Sequence, residues 1–123
     1  MTPGQISFQA DCPQWADGVN CAVTICDTEG KILYMNRLAR ETFSRHGDLM
    51  GKNLFDCHSA ASSAKIRHML ATGESNAYTI TKGGRRKMIY QTPWRDPSGQ
   101  IAGMVEISMV IPADMPHYDR DAK

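Results

Sequence analysis

Residues 100–111 constrain this chain more than any other part of it. There Val105, Ile107, Met109 and Ile111 alternate with Met104, Glu106, Ser108 and Val110. A period of two marks a β-strand, whose successive side chains point to opposite faces of a sheet. One face of this strand is wholly apolar and the other mixed, the pattern of a central strand that slipping by one residue would invert. Ahead of it, Asn76–Lys82 and residues 87–95 also have strand composition, separated by Gly83-Gly84 and by Asp96-Pro97-Ser98-Gly99. Turn residues at both breaks predict an antiparallel meander.

The first half reads differently. Ala22–Asp27 and residues 31–35 are β-rich, and Thr28-Glu29-Gly30 between them completes a hairpin signature. Asn36 is a good helix N-cap, and Leu38, Ala39, Thr42, Phe43 and His46 follow as a helical stripe that stops at Gly47. Residues 48–55 predict single turns, and residues 59–72, ahead of Gly73, predict the longest helix. Strands and helices kept in separate runs point to an α+β domain, with helices gathered on one face of an antiparallel sheet. Residues 1–20 hold two prolines and two glycines and read as an extended arm with one helical turn near Pro13. Phe8 and Trp15 in that arm are large enough to pack on something, and the polar residues 113–123 read as a tail or linker.

At 123 residues, 41% hydrophobic and 22% charged, the chain has room for one core, so the expected organisation is arm 1–20, domain 21–112 and tail 113–123. The net charge of +1 hides an asymmetry, because residues 31–95 carry twelve bases and four acids. Only Lys82-Gly83-Gly84-Arg85-Arg86-Lys87 is a cluster, and its glycines read as a solvated hairpin tip, with no nucleic acid as direct partner. Cys12, Cys21, Cys26 and Cys57 lack zinc or C-x-x-C spacing, and the chain opens with no secretory signal, so free thiols in the cytoplasm are expected. No apolar stretch approaches the ~20 residues of a membrane span. None of the G-x-S-x-G, P-loop, H-E-x-x-H or dinucleotide motifs occurs, and the expectation is that the chain is not an enzyme.

Three motifs in order carry a family resemblance: Asp27-x-x-Gly30-Lys31-Ile32 leading to Asn36, Gly51-Lys52-Asn53-Leu54 before the main helix, and Asp96-x-x-Gly99-x-x-x-Gly103-x-x-Glu106 entering the last strand. Over residues 18–112 the chain resembles a PAS domain. Within that family it looks most like bacterial modules with a Cys-His pair ahead of the long helix, here Cys57-His58. The resemblance implies a five-stranded antiparallel sheet in order 2-1-5-4-3, short helices packed on one face, and a cavity between them. It also implies sensing of small molecules, light or redox state, or simple dimerisation. The flavin photosensors of the family carry a reactive cysteine in an Asn-Cys-Arg-Phe-Leu context, which Asn53-Leu54-Phe55-Asp56-Cys57 does not match.

Candidate contacts to a ligand in that cavity are His58, Ser59, Ser62, Tyr90 and Glu106. On a helical wheel Ser59, Ser62 and Ser63 fall near the apolar centre formed by Ile66, Met69 and Leu70, so the inward face starts small and polar. Buried hydroxyls need partners, which a ligand with polar atoms supplies; the alternative is a solvated first turn. His68 falls opposite the apolar stripe and faces solvent. Glu106 has two open orientations: buried against the helices and paired with His58, Tyr90 or a ligand, or a surface charge. Met88, Tyr90, Thr92 and Trp94 share one face of their strand, and eight methionines make a soft core. The expected function is a sensory or regulatory module that binds an unidentified small molecule. It signals as a homodimer through the outer sheet face (Val105, Ile107, Met109) and the arm, toward a signalling or transcriptional output domain. Two other readings stand: a ligand-free dimerisation module, and a haem-based redox or gas sensor using His58, with the cofactor itself unknown.

Overall fold

The computed structural model describes residues 9–43, 51–54 and 59–121. Its element order is α1 (Gln14–Gly18), β1 (Ala22–Asp27), β2 (Ile32–Met35), α2 (Arg37–Thr42), α3 (Ala60–Thr72), β3 (Asn76–Lys82), β4 (Arg85–Arg95) and β5 (Ile101–Ile111). The strands form one antiparallel sheet in the order β2-β1-β5-β4-β3, which puts the alternating segment at its centre. The expectation from the alternating segment therefore holds for the architecture.

Register assigns the faces. Ala22, Thr24 and Cys26 of β1 lie opposite Ser108, Glu106 and Met104 of β5, and Ile89 and Gln91 of β4 continue that side opposite Ser108 and Glu106. Ile66 and Met69 of α3, Ala39 of α2, Met35 and Leu54 complete a buried cluster with Cys26 and Met104. Each fully buried aliphatic or methionine side chain contributes about 1.5–3 kcal/mol. Helix α3 starts at Ser59, whose Oγ accepts from the Ser62 N–H, and ends at Gly73 with φ 83°, whose N–H donates to the Met69 carbonyl. The β3–β4 hairpin turns through Gly83 and Gly84 at φ 60° and 76°, a tight turn that needs two residues with positive φ.

The opposite face carries Val23, Ile25, Tyr34, Val105 and Ile107, with Tyr90 beside Ile107. The arm and α1 cover its β1–β2 side. The Cys12 thiol donates to the Tyr34 hydroxyl at 2.9 Å, and Tyr34 is buried. Across the sheet, the Trp94 indole N–H donates to the Cys26 carbonyl at 3.0 Å by passing over Gly103, where a Cβ would overlap that carbonyl. This close approach is why β5 has a glycine there.

One side chain joins arm, sheet and helix. Asn36, wholly buried, receives N–H bonds on Oδ1 from Val23 (2.9 Å) and Ala39 (3.1 Å). Its Nδ2 donates to the carbonyls of Ala16 (3.0 Å) and Cys21 (2.8 Å). No helix among the described residues is long and apolar enough to cross a membrane.

Asn36→Ala leaves several buried groups without partners at about 1–3 kcal/mol each, so urea denaturation is expected to show a loss of at least about 3 kcal/mol. A second expectation concerns Cys26, whose thiol is pushed from 9.0 up to about 11, chiefly by burial. The folded state holds this proton more tightly than the unfolded chain, so the thiol's contribution is complete below pH 9.0 and fades as the pH rises toward about 11. The gap in urea midpoint between wild type and Cys26→Ala should therefore narrow as the buffer passes through this range.

Candidate functional site

The inner face of the sheet turns polar where α3 begins. A cleft of about 290 Å³ lies there, lined by Ser62 and Lys65 of α3, Asn76 and Tyr78 of β3, and Gln91 of β4. That volume is near the lower end of ligand pockets and corresponds to about ten water molecules at ~30 Å³ each. Strand pairing sets its floor: Asn76 lies opposite Gln91, and Gln91 opposite Glu106. Side chains in register at this spacing form a chain of hydrogen bonds. Asn76 Nδ2 donates to Gln91 Oε1 at 3.2 Å, and Gln91 Nε2 donates to Glu106 Oε1 at 3.0 Å.

The chain has a fixed sense, because an ionised carboxylate only accepts. Glu106 holds the Gln91 amide with its nitrogen inward and its oxygen toward Asn76. Burial pushes the Tyr78 phenol up, and the Glu106 charge adds to the shift. The Tyr78 hydroxyl lies in the cleft lining, where a phenol can donate to a bound molecule. The cleft thus gathers a phenol, a hydroxyl, an ammonium and two amides in front of one carboxylate. Such a set can bind a molecule carrying both donors and acceptors by orientation as well as by charge.

Of the residues singled out from sequence, Ser62 lines this cleft, and Glu106 takes the helix-facing orientation with Gln91 as its partner. Tyr90 is a correction. Its backbone pairs with Ala77 and Ile107, which puts its side chain on the outer face, 37% exposed and across the sheet from the cleft. Ser59 is exposed and spends its hydroxyl on the helix end, accepting from the Ser62 N–H at 3.2 Å and donating to Ser62 Oγ at 3.1 Å. The buried serine of the three is Ser63. His58 and Cys57 lie outside the described residues. His68 is exposed, as its place on the helix predicted, and in the structure it meets Glu74 at 3.1 Å.

Sequence reasoning missed Lys65, Asn76, Tyr78 and Gln91. The signal was the register: aligning β4 against β5 puts Gln91, not Tyr90, beside Glu106. The run Met88, Tyr90, Thr92 and Trp94 drew attention because aromatic and apolar residues usually mark the buried side. Among the described residues no group of three His, Cys, Asp or Glu could hold a metal ion. Among the described residues the cleft lining includes no imidazole or thiolate, and the described cysteines, Cys12, Cys21 and Cys26, are free thiols.

Comparison with known proteins agrees with this geometry. A search of curated proteins gives no match. Among solved structures, the VqmA dimer of Vibrio cholerae is similar at 19% identity and a TM-score of 0.65, over 80% of this chain and 51% of VqmA. The chain therefore spans about half of that protein's length. The PAS domain of the histidine kinase ThkA is similar at 17% identity and a TM-score of 0.61, over 72% of this chain and 97% of that one. The Aer2 receptor of Vibrio cholerae, described as a dual PAS-haem oxygen sensor, is similar at 19% identity and a TM-score of 0.59, over 75% and 95%. The profile of the PAS fold family matches residues 16–113, and with the strand order, the helix-flanked cleft and these likenesses in fold, the chain belongs to the PAS family.

Proposed function

We propose that this chain is a cytoplasmic, non-catalytic PAS sensory or regulatory module that binds a small polar molecule in the cleft between α3 and the sheet. The observation that carries the reading is the oriented Asn76–Gln91–Glu106 chain at the base of the cleft. Buried polar chains cost stability unless satisfied, and one whose Asn76 and Gln91 amides border open space fits a ligand that completes it. Ser62, Lys65 and Tyr78 would contact that ligand, while Ser59 braces Ser62. A solved structure of VqmA bound to DPO, similar at 19% identity, is an example of a like fold holding a small molecule. His58 stays a candidate contact on the family resemblance alone, as does the Cys-His subgroup, and the haem reading rests on His58.

Output follows from β5, whose Glu106 is on the helix-facing side, joined to the cleft through Gln91, while Val105 and Ile107 face the other way. A ligand that shifts Gln91, and through it Glu106, biases the outer face, and a second copy of the domain or a signalling partner reads that bias as a population shift. The domain is taken as residues 21–112, with residues 1–20 as a cap and 113–123 as a linker to the output. The outer face also supports the ligand-free dimerisation reading, because Tyr90 is 37% exposed beside half-buried Val105, Ile107 and Met109.

A thermal-shift screen of amino acids, hydroxy acids and nitrogen heterocycles tests the choice. Wild type should be stabilised by at least one compound, Tyr78→Phe should bind it about threefold to tenfold more weakly through one lost hydrogen bond, and Ser62→Leu should abolish the response. A response unchanged in both variants would put the ligand elsewhere. No response at all, with a dimer that Ile107→Lys dissociates in sedimentation, would favour the dimerisation module.

A further inference from the structure

The far end of the same inner face carries a different chemistry. A second cleft of about 640 Å³ opens between α2 and the β3–β4 hairpin, and Lys82, Arg85 and Lys87 line one side of it. Strand alternation puts all three on the helix-facing side, whereas Arg86 between them points the other way and donates to the Ala113 carbonyl at 3.0 Å. Lys82 and Arg85 are directly opposite partners across the hairpin. Like charges in that arrangement repel and destabilise a hairpin, and no carboxylate among the described residues lines the cleft or pairs with any of the three.

The rest of the cleft is mixed, with Asn20 and Thr42 among its hydrocarbon residues. Its floor is the Ala22–Ser108 pair, two small side chains where a packed sheet–helix interface would hold large ones. Leu38 of α2 and Val110 of β5, the latter 52% exposed, supply apolar walls. Cations at one end and hydrocarbon with free volume at the other describe a receptor for an amphiphile.

We infer that this cleft is a second binding site, for an organic anion whose carboxylate or phosphate head meets Lys82, Arg85 and Lys87 and whose apolar body lies along Ala22, Leu38 and Val110. The head relieves the repulsion across the hairpin, with Arg85 able to grip two of its oxygens at once. Bringing an anion there ties the hairpin tip to α2, two elements that the sheet otherwise connects only through β1 and β5. The site is independent of the polar cleft, because none of its lining residues is shared with it.

The test is an NMR and calorimetric titration with octanoate, octyl phosphate, 1-octanol and inorganic phosphate. Octanoate and octyl phosphate should bind saturably and shift the amides of Leu38, Lys82, Lys87 and Ser108, leaving Asn76 and Gln91 unmoved. Affinity should fall at least tenfold in the combined Lys82→Gln, Arg85→Gln, Lys87→Gln variant, and measurably in Lys82→Gln alone should the combined variant fold poorly. Arg86→Gln should change it less than twofold. A preference for one head over the other identifies the source of the anion. Equal binding of 1-octanol, equal binding of bare phosphate, or unchanged affinity in the Lys82 variants would overturn the site. Shifts confined to Tyr78 and Gln91 would do the same while leaving the polar cleft standing.

Discussion

The structure depends on one buried amide. Asn36 ends β2, caps α2 and holds the backbone of the arm and of the approach to β1, using both faces of its carboxamide at once. No other side chain type offers two acceptor directions and two donors in one plane at that length. Satisfying four backbone groups in a dry site lets three segments of different sequence position meet without leaving orphaned polar atoms, and none is found among the described side chains. The helix, the hairpin and the arm are thus fastened at one residue, on which the cover of the outer face and the packing of the inner one both bear.

The second organising feature is the two-sidedness of β5. Being central, it has no free edge, and each of its residues commits to one face. Met104 fills the core, Glu106 ends the polar chain and Ser108 floors the cationic cleft, so three successive inward positions differ in character: packed hydrocarbon, a hydrogen-bonded carboxylate and open volume. Their outward neighbours are uniformly apolar. A strand built this way puts a polar chain on one side of the sheet directly behind a hydrophobic surface on the other.

Much of this was readable before any coordinates. Alternation in β5, the glycine turns and the helix signals at Asn36 and Gly73 are local, since each rests on the backbone needs of a few neighbouring residues, and the strand order followed from the family resemblance. The polar site was legible only in part, because its members meet through register. Ser62 could be placed from the period of one helix, but Gln91 becomes inward only when β4 is aligned on β5, and Tyr90 beside it then has to point out. Asn76 and Tyr78 sit on an edge strand whose exposure hides any hydrophobic pattern. The cationic hairpin showed its charge but not its cleft, because the free volume comes from Ala22 and Ser108, distant in sequence and paired in space.

The indole of Trp94 has a mechanical consequence. By reaching over Gly103 to the carbonyl of Cys26, it fastens β4 to β1 across the strand that lies between them. Such a crossbar resists shear between the two halves of the sheet. A shift of β4 at its Gln91 end would thus be delivered as torque to the β1–β2 hairpin, and through Tyr34 to Cys12 in the segment that packs over it.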